Sequence, residues 1–578
     1  MRAHGTGMAD ADPDLTISYS GTDIPASAGD SVASALTAAG IRACRETDAG
    51  DPRGLFCGMG VCAECSVVVD GRDGALACLT PVQDGMTIER QPARTVLRPA
   101  DDGAGNADLS EIVLRPDVLI VGGGPAGLTA AAVAAESGVD VLLVDERAKP
   151  GGQYYKQPAA GTRIDPDRLD GQYREGRALI ARFAASGAKS LSGAKVWAAF
   201  APDHVVAAGP DTRWVIHPRQ LVLATGAYER GIPVPGWTLP GVMTTGAAQT
   251  LLRSHQVAPG RRVLIAGNGP LNLQLAAELT RAGVTVVAVA ELGSPFTPGR
   301  LRSVGAMSLA APALAGLGAG YLVTLLRRRV PVVQSSAVVR CSGDTAVRSV
   351  TVARIDRAGD PVAGSSRTFE VDAVCLGYGF LPSNELARAL GCEHRADLPG
   401  GALRVVRDPA GRTTVPGVWV IGAGGESLGA KVAAAAGALC GAALSHRAGA
   451  TAVGSPDVSR IRRALDRHLR FQRNLATAYS APILSVSLAD PGTVVCRCEG
   501  VTLADLTTDL TSGVGAAGAL KRVTRVGMGK CQGRYCGPAV VGLAQAVTGA
   551  APDAYSGFRP QAPVRPTPVG TIAAPPDH

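Results

Sequence analysis

The stretch Asp117–Glu146, "DVLIVGGGPAGLTAAAVAAESGVDVLLVDE", reads as an apolar strand, a glycine turn, an Ala-rich helix and a second apolar strand ending in Asp145-Glu146. Gly122, Gly124 and Gly127 form G-x-G-x-x-G in its full strand-turn-helix-strand setting, which marks a dinucleotide-binding unit. Pro125 and Ala126 open the helix, whose free N–H groups and dipole suit a pyrophosphate. Asp145, with Glu146 beside it, lies at the distance that serves a ribose hydroxyl.

A second, altered copy follows at Arg261–Glu291, "RRVLIAGNGPLNLQLAAELTRAGVTVVAVAE". Gly267 and Gly269 keep the tight turn, but Asn272 stands at the third glycine position, which should loosen helix-strand packing or mark a different nucleotide. By residue count Ala290 falls where the ribose-binding acid belongs, and Glu291 comes one residue late. This domain is expected either to take NAD(H) or another nucleotide, or to be kept for its fold.

Eight of the thirteen cysteines form two constellations at opposite ends of the 578-residue chain. In "RGLFCGMGVCAECSVVVDGRDGALACLT", Cys57, Cys62, Cys65 and Cys78 have the C-x4-C-x2-C-plus-one spacing of plant-type 2Fe-2S ferredoxins. Gly58 and Gly60 let the loop fold tightly with N–H groups aimed at sulfur, and a hairpin turning at Asp70-Gly71 delivers Cys78. Zinc fits this set poorly, since its ligands come in two matching close pairs. The second set is Cys496, Cys498, Cys531 and Cys536, from "VVCRCEGVT" and "GMGKCQGRYCGPAV". Its spacing suits zinc or 2Fe-2S. Flanking short helices and Lys521, Arg522, Arg525 and Lys530 supply positive ends and charges that favour a cluster.

Several blocks carry family resemblances. The tandem nucleotide domains, with "LVLATGAYERGIPVPGW" closing the first and "VDAVCLGYGFLPSNELARALG" leading back from the second, resemble the two-dinucleotide-binding-domain flavoproteins of the glutathione and thioredoxin reductase type. That resemblance implies FAD on the first domain, held by Gly122, Gly124, Gly127 and Asp145, with Gly152 and Gln153 of "PGGQ", Thr225-Gly226 and Gly422 approaching it. Where those proteins have Gly-Asp, this chain has Gly422-Ala423, so another group must replace a hydrogen bond. No redox cysteine pair follows the fingerprint; Cys44, Cys341, Cys375, Cys392 and Cys440 are scattered and read as buried small hydrophobes. The C-terminal cysteine region looks like the bacterioferritin-associated-ferredoxin type of 2Fe-2S domain, with a longer second pair.

Taken whole, "VDERAKPGGQYYKQP", "ATGAYERGIPVPGWTLPGVMTTGAAQTLL" and "TRVGMGKCQGRYCGPAV" are similar to the flavoprotein subunits of opine oxidases, hydrogen cyanide synthase and (hydroxy)proline dehydrogenases. The resemblance implies an electron-transfer subunit working with a glycine-oxidase-like FAD partner. It also implies a ferredoxin module, often a separate subunit, that is fused here.

The expected architecture is α/β: a β-grasp-like 2Fe-2S domain (13–97), a linker (98–114), an FAD domain (115–240 and 376–452), a second nucleotide domain (241–375), a small helical 2Fe-2S domain (485–552) and a disordered Pro-rich tail (557–578). A net charge of +8 with only 4% aromatic residues argues against nucleic acid as a partner. The N-terminus lacks an apolar signal region, which together with thiolate ligands points to the cytoplasm. The uncharged run Val304–Leu326 is long enough for a bilayer, yet its Ala, Gly and Pro content inside a nucleotide domain reads as a buried helix pair or interface element, with peripheral membrane contact the other option.

Three functions are compatible with these features: the electron-transfer subunit of an amino acid or opine dehydrogenase, a self-contained NAD(P)H-dependent reductase, or a non-catalytic iron-sulfur carrier or sensor. No His, Cys or carboxylate stands out as a substrate acid or base. His217 reads as structural, and Tyr228, Glu229 and Arg230 as possible cavity walls without assigned chemistry.

Overall fold

The computed structural model describes Arg2 and residues 13–94, 110–159, 169–396, 401–447 and 457–573. Alternating apolar residues at the N-terminal end build a five-stranded sheet in the order Thr22–Ala26, Leu15–Tyr19, Thr87–Arg90, Ser66–Val69, Arg72–Leu76. Only the Leu15–Tyr19/Thr87–Arg90 pair is parallel. Helix Val32–Ala38, started by a Ser31/Ser34 capping box, covers this sheet and completes a β-grasp. The expected hairpin turn falls at Asp70 and Gly71, both with positive φ.

This module is not tethered loosely. Ile17, Leu36 and Ile88 belong to the same continuous core as Met243, Leu251 and Leu275 of the second nucleotide domain. Phe56 O accepts Thr244 N–H at 2.8 Å, so the cysteine loop is docked on the start of helix Thr245–His255.

The first nucleotide domain has a parallel sheet in the order Lys189–Ser192, Val141–Asp145, Val118–Val121, Gln220–Leu223, Val418–Val420. Near-continuous apolar strands are what a sheet covered on both faces requires. Helix Pro125–Glu136 packs closely on helix Ala430–Arg447, where a Cβ at Gly437 would lie 2.2 Å from Ala126 O; the Ala and Gly richness serves this contact. Ser110–Leu114 is not linker: it pairs in parallel with Thr212–Ile216 at the edge of an antiparallel sheet. Residues 95–109 lie outside the described residues.

The second nucleotide domain stacks Val242–Thr244, Ala373–Gly377, Arg262–Gly267, Thr285–Glu291 and Val332–Gln334 in parallel, followed by a three-stranded meander. The apolar run forms two helices, Leu301–Ala310 and Pro312–Arg327, and they are not buried. The first has no buried residue, the second only Tyr321 and Leu325, and Leu309 is 87% exposed. Among the described residues no helix is long and apolar enough to cross a membrane.

At the C-terminal end, the hairpin Val494–Cys496/Val501–Thr502 and helices Leu503–Thr511, Ala517–Thr524 and Gly537–Thr548 enclose a small core of Val495, Leu506, Leu520 and Val540. The Pro-rich tail, in contrast to the disorder its composition implies, is docked through residue 571, and residues 574–578 lie outside the described residues. Phe558 is buried against Gly527 and Gly533, Val564 N–H bonds Trp197 O at 2.8 Å, and Arg565 pairs with Glu146 at 3.1 Å. Its prolines leave few backbone donors to satisfy, and buried Phe558 and Val564 anchor it.

Candidate redox site

Three groups of residues define the site. The first is the fingerprint cradle. Gly122 has φ +111°, and a Cβ there would sit 2.4 Å from Ala224 O; at Gly127 a Cβ would sit 1.9 Å from Gly122 O. Only glycine lets strand, turn and helix approach this closely. Asp145 is buried at the strand end, accepting N–H groups from Gly123 and, at 2.7 Å, Arg147; burial raises its carboxyl. Glu146 turns away to Arg565, so the structure brings Asp145 but not Glu146 to the cradle. Gly152 packs on Gly124, Gly422 on Ala126, and Gly424 on Thr225 Oγ1. Thr225 donates to Ser383 O.

Beside this cradle lie two charged groups to which the sequence assigns no chemistry. Lys156, fully enclosed, donates to Gln153 O and, at 3.0 Å, to Gln249 Oε1; burial brings its ammonium down to about 7, with Arg147 adding to the effect. Glu229, 4% exposed, accepts Gly246 N–H at 2.8 Å and is pushed up to about 7 by burial. Each feels the other's charge, and Glu229 also feels Cys57. The sequence signals for this pair are a lysine two residues after "GGQY" and the place of Glu229 just after "ATG". His217 Nδ1 meets Asp203 O at 2.8 Å and is structural.

The second and third groups are the cysteine sets. Cys57 touches Cys62 and Cys65 touches Cys78, so the first set resolves into two pairs. Burial opposes ionisation of Cys57, but the Cys62 side chain and the N–H groups of Met59, Cys62 and Val61 outweigh it and bring the thiol down to about 6. In the other set Cys498 and Cys531 lie 3.6 Å apart and Cys496 touches Cys536, which stands at the start of helix Gly537–Thr548. Contact with Cys498, then N–H groups of Tyr535 and Gly533, lower Cys531 to about 7 against the effect of burial. Two pairs of thiols fit two irons each held by two thiolates. Among the described residues no group of three or more His, Cys, Asp or Glu is arranged around a single ion. Cys44, Cys341, Cys375, Cys392 and Cys440 are buried, as their reading as small hydrophobes expects.

By sequence the two sets belong to opposite ends of the chain. The fold brings them together: Cys62, Cys496, Cys498, Cys531 and Cys536 line one cavity. An aromatic series runs from the strand after Thr225-Gly226 to both cysteine loops, with Tyr228–Tyr535 centroids 5.7 Å apart, Tyr535–Phe56 5.2 Å and Phe56–Trp237 5.7 Å.

The second fingerprint is more intact than residue counting implies. A register shift between Val263 and Leu264 inserts one residue in the partner strand, so Glu291, not Ala290, pairs with Gly267. Asn272 does not loosen the helix. Its Nδ2 donates to Gly377 O at 3.0 Å and its Oδ1 accepts from Thr245 at 2.9 Å. Over the loop, Tyr479 O accepts from Asn268 Nδ2 at 2.9 Å.

A family model described as pyridine nucleotide-disulphide oxidoreductase matches residues 116–437, and one described as 2Fe-2S iron-sulfur cluster binding domain matches residues 12–93. The chain is 34% identical over 481 residues to an opine oxidase subunit of Agrobacterium tumefaciens (strain Ach5), covering 81% of this chain and 92% of that protein. It is 34% identical over 430 residues to hydrogen cyanide synthase subunit HcnB of Pseudomonas aeruginosa, covering 73% and 91%. The crystal structure of L-proline dehydrogenase from P. horikoshii matches with a TM-score of 0.72 at 22% identity, over 98% of this chain and all of that one, and shares the fold.

Proposed function

The chain belongs to the pyridine nucleotide-disulphide oxidoreductase family, as an FAD-dependent oxidoreductase with an N-terminal 2Fe-2S domain, and from that premise we propose that it is the electron-transfer subunit of an amino acid or opine dehydrogenase complex. In this reading a glycine-oxidase-like partner oxidises the substrate on its own flavin, and electrons cross this chain to an acceptor. FAD would be held by Gly122, Gly124, Pro125, Ala126, Gly127, Asp145, Gly152, Gln153, Thr225, Gly226 and Gly422. One 2Fe-2S centre would be held by Cys57, Cys62, Cys65 and Cys78, and the other by Cys496, Cys498, Cys531 and Cys536. Such groups supply the exchange between two-electron and one-electron chemistry. The residues around them orient them, exclude water and, at Lys156 and Glu229, hold protons near neutrality.

The observation that carries this reading is continuity. The Cys57–Cys62 loop sits on helix Thr245–His255 on one side and shares a cavity with the second cysteine set on the other, and Tyr228, Tyr535 and Phe56 are in successive ring contact. The test is stoichiometry combined with mutation. Anaerobically purified protein should hold about four irons and one FAD per chain. Cys62→Ser should remove one paramagnetic centre and Cys531→Ser the other, each leaving FAD in place. Zinc at the second set, with half the iron, overturns the two-centre assignment.

One observation favours a second reading, the self-contained NAD(P)H-dependent reductase: Glu291 occupies the acid position of the second fingerprint, with Gly267 and Gly269 in place.

A further inference from the structure

Between the two cysteine sets lies a charged cluster that neither fingerprint nor cysteine spacing requires. Glu64 stands between Cys62 and Cys65, and Arg497 between Cys496 and Cys498; they are 1% and 4% exposed. Arg497 Nη2 lies 3.2 Å and Nε 3.3 Å from Glu64 Oε2, across 433 residues of sequence. The remaining Glu64 oxygen, Oε1, accepts Arg45 Nη2 at 2.6 Å, and Arg53 Nε approaches Oε2 to 3.9 Å. Arg497 also donates to Trp237 O at 2.5 Å and lies 4.0 Å over the Phe56 ring and 4.8 Å from that of Trp237.

Burying this many charges is a costly way to join two loops, because well-packed apolar residues of similar volume would hold them as firmly. Its placement suggests another use. Each partner is a sequence neighbour of two thiol ligands, and Glu64 N–H points at Cys62 Sγ at 3.5 Å. Three guanidinium groups face Glu64 and, at 3.6 Å from Arg53, Asp51, which leaves one surplus positive charge beside two thiolate sets, in a dry setting where Coulomb interactions are weakly screened.

We propose that the buried Glu64–Arg497 pair is a positioning element that fixes the two cysteine sets as one electrostatically coupled redox unit, so that charge placed on either set is felt at the other. The proposal rests on the two-centre relay reading above. Glu64 and Arg497 both line the cavity that Cys62 shares with Cys496, Cys498, Cys531 and Cys536, so a change at either should act on both sets.

The experiment is a potentiometric titration followed by electron paramagnetic resonance, on the full chain purified anaerobically. In the parent protein the fully reduced spectrum should be broadened, and its power saturation altered, relative to the sum of two isolated centres. Glu64→Gln should move both midpoint potentials upward and Arg497→Gln both downward, with Arg497→Lys restoring most of the parent value. A variant that keeps full iron but moves one midpoint alone, or neither, overturns the proposal. Should the variants lose iron, the parent spectrum decides: additive signals from two intact centres overturn the coupling while leaving the relay reading standing. A parent protein with a single centre overturns both.

Discussion

Glu291 Oε1 accepts the backbone N–H of Gly269 at 2.9 Å, and its other oxygen is buried. A carboxylate so placed is poorly solvated, and burial pushes it up to about 8 despite the N–H groups of Gly269 and Gly293. Because the folded protein holds this proton more tightly than the unfolded chain, the group's contribution is fully present below about pH 4.5. It is lost as pH rises through 8. Glu291→Gln should therefore lose less stability than the parent between pH 5 and 8, by ~3–4 kcal/mol. Thermal melts across that window check it; parallel curves for the two proteins would contradict it.

Gly127 offers a sharper test of the cradle. A methyl group there must displace Gly122 O, a backbone atom inside the fingerprint. Gly127→Ala should lower the FAD-to-protein ratio and cost ~1–3 kcal/mol by overpacking, with iron content unchanged. Flavin absorbance per chain, measured beside iron, reads both effects.

Phe558 closes the C-terminal module from the tail. Its ring covers Gly527 and Gly533, on either side of Cys531. Phe558→Ala should cost about 3–5 kcal/mol locally and release iron from the second cysteine set while sparing the first. Loss of both centres together would show that the two modules unfold as one unit.

The parts of this molecule that are legible in its sequence are those fixed locally. The first fingerprint, the Asp70-Gly71 hairpin and the three-cysteine loop each depend on residues within a short span, so spacing alone points to them. What escapes depends on other elements. The acid slot of the second domain falls to Glu291 through a bulge that residue counting does not register. Asn272 keeps its helix close because Thr245 and Gly377 satisfy its amide, and neither partner is visible from its own segment. The described part of the Pro-rich tail packs on surfaces contributed by Trp197 and Glu146. Lys156 and Glu229 are ordinary as letters and become notable only when the fold buries both beside the cradle.

The most direct test of the electron-transfer assignment is anaerobic reduction of the isolated chain, followed by flavin absorbance. Neither NADH nor proline, hydroxyproline, glycine or an opine should bleach its FAD rapidly. Adding a glycine-oxidase-like partner together with that partner's substrate should bleach it through the iron-sulfur centres. Rapid bleaching by NADH alone would contradict the account and establish the reductase instead, and rapid bleaching by an amino acid without any partner would place substrate oxidation in this chain.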